Sequence, residues 1–157
     1  MINNRINYLG LLKLKQFKLF NLFLYMASLT KEDLELIKTA KKLVSCNEVV
    51  RGGIIKEVGC ALLTKKGKIF TGANMHLPCD LGFCAEASAI SNMISHSDET
   101  EIKTIVSVKD KVRSPCGRCR ELIHLINKKN LENTFVIISE KEKIKLKELL
   151  PHDWIKG

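Results

Sequence analysis

A chain of 157 residues with 45% hydrophobic and 27% charged side chains has the length of one domain and the apolar content of one core, which excludes a disordered or fibrous protein. Its formal charge of +9 suggests a nucleic-acid partner, but the only wholly basic stretch is the first 25 residues, with Arg5, Lys13, Lys15 and Lys18 and no acid. The remainder mixes 22 basic with 17 acidic side chains, as a solvated surface does, and this argues against nucleic-acid binding.

Residues 1–25 are rich in Asn, Leu, Phe and Lys, and hold an apolar run from Leu19 to Tyr25 broken by Asn21. A membrane span needs about 20 apolar residues, so this run is too short. Lys13, Lys15 and Lys18 interrupt the apolar region that a signal peptide requires. No membrane role is expected unless this segment is expressed and lies on a membrane surface. We read 1–25 as an N-terminal extension and 26–157 as a single domain.

From Met26 onward the elements follow one another regularly. Thr30-Lys31-Glu32-Asp33 reads as a capped helix start, and Leu34, Ile37, Lys41 and Val44 continue at helical spacing, so a helix is expected over about 30–46. Gly52-Gly53 breaks it. Val58–Leu63 and Lys68–Thr71 form a hairpin about Lys65-Lys66-Gly67. A loop over 75–83 leads to a helix that begins at Cys84. Ile102–Val108 is a buried strand, and loop 109–115 leads to a second helix beginning at Cys116. Thr134–Ile138 is a fourth strand, and a short fifth near Ile144 precedes Leu146–Leu150. This alternation predicts an α/β fold with helices on both faces of the sheet.

Six cysteines could form three disulfides in a secreted protein. This chain is not small and shows no convincing signal peptide, so a reducing cytoplasm is the better expectation. Cys116 and Cys119 lie three apart at a helix start and can hold one ion, with Cys84 arriving from the other helix start as a third ligand. Three thiolates leave a fourth position open on zinc, which marks a catalytic site and predicts one Zn2+ per chain. Glu86, two residues past Cys84, is suited to carry protons beside the ion. Arg118, between Cys116 and Cys119, is a candidate to balance the thiolate charge, or else a solvent-facing side chain. The competing interpretation is a structural, non-catalytic zinc site in a binding module, which would need Cys79, Cys60 or His76 as fourth ligand. Otherwise Cys46, Cys60 and Cys79 serve as small apolar residues. Trp154 is expected to pack the C-terminal tail against the core, or else to close the pocket over a base.

The stretch from Val58 to Leu150 resembles the zinc-dependent cytidine deaminase family, in its small homotetrameric branch, which includes the blasticidin S deaminases. The resemblance rests on Val58-Gly59-Cys60-Ala61-Leu62-Leu63-Thr64, Gly67–Asn74, Cys84-Ala85-Glu86, Ser114–Glu121 and Glu148-Leu149-Leu150-Pro151. It implies a three-layer α/β/α fold with a five-stranded mixed sheet, and a homotetramer or homodimer. It implies that Cys84, Cys116 and Cys119 bind zinc. Glu86 would take a proton from the attacking water, protonate the pyrimidine ring nitrogen and deliver a proton to departing ammonia. The Ala85 amide would meet the ring carbonyl, the Ser114 carbonyl the amino group, and Asn74 a sugar hydroxyl.

The implied substrate is a cytosine nucleoside, cytidine or deoxycytidine. The alternative is an aminoacyl-nucleoside of the blasticidin S type. Three positions depart from the family's pattern: His76 stands where a sugar-binding glutamate is usual, Lys56 where an aromatic residue is usual, and Ala87 where arginine often follows. His76 is accordingly a candidate substrate contact or a plain loop histidine.

Overall fold

The computed structural model describes residues 27–152; the extension 1–25 and Trp154 lie outside the described residues. Helix α1 (Lys31–Lys41) starts with the expected cap. Thr30 Oγ1 accepts from the Asp33 amide at 3.2 Å, and Asp33 Oδ2 accepts from the Thr30 amide at 2.8 Å, so two otherwise orphaned donors are satisfied. The helix stops short of residue 46 because strand β3 (Gly53–Thr64) captures the next amides: Ser45 and Cys46 both donate to the Lys56 carbonyl at 3.0 Å.

All five expected strands form: β3, β4 (Ile69–His76), β5 (Ile102–Val108), β7 (Phe135–Ile137) and β8 (Glu142–Lys145). The sheet, however, has eight strand segments rather than five, gaining β1 (Ala27–Ser28), β2 (Asn47–Val49) and β6 (Val112–Arg113). Segments of two or three residues carry no readable alternation; they exist because a neighbouring strand offers unpaired backbone. The order is β1-β8-β7-β5-β3, with β2 and β4 both on β3 and β6 on β5. The β5–β7 pair is parallel and the others antiparallel, so the sheet is mixed.

Buried residues separate onto two faces. Cys60 and Leu62 of β3 pack with Ala85, Ala89, Ile90 and Met93 of helix α2 (Ala85–His96), with Ile123 of helix α3 (Gly117–Ile126), and with the short helices α4 (Asn130–Asn133) and α5 (Leu146–Leu149). The alternate residues Ala61 and Leu63 pack against Leu36 and Ala40 of α1. One strand thus serves two cores, giving the three-layer arrangement. No described helix is long and apolar enough to cross a membrane.

Two glycines set the helix-to-sheet distance. A Cβ on Gly72 would lie 2.2 Å from the Ala89 nitrogen and 2.7 Å from the Ala85 oxygen, and one on Gly59 would lie 2.2 Å from the Ala40 oxygen. Only glycine lets α2 and α1 approach the sheet this closely, one on each face.

Candidate metal centre and active site

Cys84 and Cys116 are the N-cap residues of α2 and α3, both in extended backbone. Cys119 lies in the first turn of α3 and Glu86 in the first turn of α2. Gly72 fixes that turn of α2 against β4, so the sheet itself locates Cys84 and Glu86. The unpaired amides and positive dipole ends of the two helices favour negative charge where the sulfurs gather.

The three Sγ atoms lie within 4.8 Å of one another, and those of Cys84 and Cys116 are 3.7 Å apart. Zinc–sulfur bonds of about 2.3 Å at tetrahedral angles require sulfurs roughly 3.8 Å apart, so the donor set fits the ion. Among the described residues, Cys60, Cys79 and His76 stand outside this cluster. Among the described residues no fourth protein ligand joins the three sulfurs, as a closed structural site would need.

Cys119 Sγ lies 3.6 Å from Glu86 Oε2, and Glu86 is only 6% exposed. Burial pushes the Cys119 thiol well up from its ordinary value, and the Glu86 carboxylate adds to the effect. Burial also raises Cys84, helped by its hydrogen bond with Cys116. Cys116 is lowered instead: burial opposes this, but the Cys119 amide and the neighbouring thiols outweigh it. Cys60 is wholly buried beneath the site, and burial and then Glu86 hold its thiol well above the ordinary range, as suits a small apolar packing residue. Cys46 and Cys79 are exposed.

Glu86, Cys84 and Cys116 line a cavity of about 180 Å3 together with Asn74, Ala85, Ser114 and His76. The structure therefore brings into one place every expected site residue except the buried ligand Cys119, which adjoins it through Glu86, and Arg118. Asn74 is buried, and its Oδ1 accepts from the Val58 amide at 2.6 Å, which leaves its NH2 group for a ligand. His76 is exposed at the end of β4, between this cavity and an adjoining cleft of about 340 Å3. Arg118 is exposed and lines that cleft beside Cys84, rather than the cavity holding Glu86.

The sequence reading missed several residues of the site. Glu57, Ser107 and Arg113 line the cavity. Arg120 donates from Nε to the Pro115 carbonyl at 2.8 Å, and from its terminal nitrogens to the Leu149 carbonyl at 3.2 Å and Ser114 Oγ at 3.4 Å. It thereby ties the loop before Cys116 to α5. The only sequence signal for Arg120 is its position next to Cys119; Glu57 offers none, because its placement depends on how β3 pairs.

Residues 31–133 match the family model described as the cytidine and deoxycytidylate deaminase zinc-binding region. The chain is 32% identical over 109 residues to the blasticidin-S deaminase of Bacillus cereus, covering 61% of this chain and 74% of that protein. It is 39% identical over 67 residues to a probable cytidine deaminase of Dictyostelium discoideum, covering 41% of this chain and 46% of that protein. Among solved structures, the cytidine deaminase of Burkholderia pseudomallei superposes with a TM-score of 0.62 at 25% identity, over 80% of this chain and 100% of the other. That of Mycobacterium leprae gives 0.64 at 23% identity, over 78% and 99%.

Proposed function

Since this chain belongs to the cytidine and deoxycytidylate deaminase family and is a zinc-dependent hydrolytic deaminase, we propose that its substrate is a cytosine nucleoside, cytidine or deoxycytidine. Water and the nucleoside give the uracil nucleoside and ammonia. The observation that carries this reading is the buried Glu86, set beside the sulfur cluster in the one cavity that also holds Asn74, Ala85 and Ser114.

In this reading Cys84, Cys116 and Cys119 hold the zinc. When bound, the ion supplies the Lewis acidity that makes water a nucleophile near neutral pH. Glu86 accepts the proton that the attacking water gives up and passes it to the ring nitrogen of the base. It then takes the second proton from the hydroxyl now bonded to carbon 4 and delivers it to the amino group, so that ammonia leaves as the C–N bond breaks and the uracil carbonyl forms. The Ala85 amide, unpaired at the first turn of α2, donates to the ring carbonyl. The Ser114 carbonyl accepts from the amino group that will leave, on a loop that Arg120 holds in place. The NH2 of Asn74 faces the sugar. We propose a cytoplasmic homotetramer or homodimer, with 26–157 as the catalytic domain.

An aminoacyl-nucleoside antibiotic of the blasticidin S type is the second reading, favoured by the similarity to a blasticidin-S deaminase over 74% of that protein. Ammonia release from cytidine, deoxycytidine, cytosine and blasticidin S separates the two. Glu86→Gln is expected to keep zinc near one per chain while kcat falls by about 100- to 10,000-fold. Unchanged turnover in that variant sinks the proton-carrier role, and the absence of any turnover in the parent enzyme leaves a zinc-stabilised binding module.

A further inference from the structure

Strand β3 does not run evenly beside β4. Ile55 is opposite Met75 and Gly59 is opposite Ala73, so Lys56, Glu57 and Val58 together face the single residue Asn74. Lys56 adopts φ of 57°, in the left-handed region, where a lysine stays only if its surroundings hold it. They do: its carbonyl accepts from both Ser45 and Cys46. Bulges of this kind re-aim side chains beside active sites. This one turns the Val58 amide onto Asn74 Oδ1 and puts Glu57 on the wall of the cavity that holds Glu86. Lys109 Nζ donates to Glu57 Oε1 at 2.5 Å, which orients the carboxylate and leaves Oε2 to accept.

Resting on the reading of this site as a cytosine-nucleoside deaminase, we propose that Glu57 is the carboxylate that accepts the sugar hydroxyls of the substrate and sets its specificity. It stands beside Asn74, and His76 lines the same cavity, whereas the carboxylate of the 75–83 loop, Asp80, lines the adjoining cleft instead. A charged acceptor and the Asn74 donor together complement vicinal hydroxyls, which each donate and accept. Paired with Glu57, Lys109 is no free cation for a phosphate on the sugar; without the carboxylate its charge is left unbalanced beside the cavity. Arg113 is the competing feature of the wall, since a guanidinium there could instead take a phosphate. Its side chain is 49% exposed and bound to Asp110, however, whereas that of Glu57 is only 22% exposed.

The test compares kcat/KM of the zinc-loaded full chain on cytidine, 2′,3′-dideoxycytidine and deoxycytidine monophosphate, in the parent, Glu57→Ala and Glu57→Gln, with zinc content recorded for each. The parent is expected to favour cytidine over dideoxycytidine by about 10- to 100-fold, the worth of hydrogen bonds to a charged group. In Glu57→Ala that ratio falls towards one, chiefly through KM for cytidine, and Glu57→Gln falls between the two. Relative use of the monophosphate rises in both. An unchanged ratio in two zinc-loaded variants, or a parent that prefers the monophosphate, overturns the role of Glu57 while deamination itself stands. A parent that deaminates no cytosine nucleoside overturns the functional reading and this inference with it.

Discussion

Cys84 and Cys119 hold their protons more tightly than a free thiol, through burial first, and then through Cys116 at Cys84 and through Glu86 at Cys119. Zinc binds thiolates, so uptake of the ion at neutral pH must release at least those two protons, and affinity must fall as the medium becomes more acid. Titrating zinc into the metal-free chain in weak buffer with a pH indicator is expected to show this release; Cys119→Ala should show less of it and bind zinc poorly. Uptake without acidification would mean that these sulfurs are not the ligands. Individual residues were legible in the sequence where the chemistry depends on close spacing, as in Cys84-Ala85-Glu86 and Cys116-Gly117-Arg118-Cys119. Glu57 was not, because three residues opposing one across two strands is a matter of pairing register, which residue order does not display. Arg118, a candidate for charge balance, is exposed in the adjoining cleft; adjacency in sequence on a helix points neighbouring side chains in different directions.

Helices α1 and α2 are positioned by contacts that tolerate little change. Gly72→Ala would force its new methyl group into the α2 backbone, which cannot yield as a side-chain tip can. The expected loss is about 1–3 kcal/mol by chemical denaturation, with a fall in kcat because Cys84 and Glu86 ride on that turn. A variant of unchanged stability and turnover would show that α2 does not depend on this approach. On the opposite face, Asp33 of α1 is 2% exposed and accepts from Lys143 of β8 at 2.5 Å. Burial pushes its carboxyl up, but Lys143 and Thr30 outweigh it and hold the group below its ordinary value. A depressed carboxyl stabilises the fold above its unfolded value of about 3.9 and loses that contribution as pH falls through the lower folded value. Asp33→Asn, which strands a buried Lys143, is expected to cost about 3–5 kcal/mol at pH near 7. The deficit should shrink when the same denaturation is run at a pH of about 3, and a deficit constant with pH would remove the ion pair as its cause. The cap Thr30–Asp33 could be read from sequence, whereas Lys143, 110 positions away, could not.

At the scale of the whole molecule, zinc joins the starts of two helices that the chain brings together from either side of β5. Removing it with a chelator should lower Tm and abolish turnover, and added zinc should restore both. At free zinc about 1,000 times its Kd the stabilisation is about 4 kcal/mol. A chelated chain with unchanged Tm would mean that the ion contributes nothing to the fold. Sequence by itself determined the alternation of helices and strands, the five main strands, the three cysteines that cluster as candidate ligands and the glutamate beside them. Each of these is written in local spacing and hydrophobic period, which operate over a few residues. Tertiary structure alone decided where α1 stops, the three short strands, the buried Asp33–Lys143 pair and the bulge that sets Glu57 beside Asn74. Those depend on which distant backbone groups and charges meet when the sheet assembles, and no local pattern carries that information.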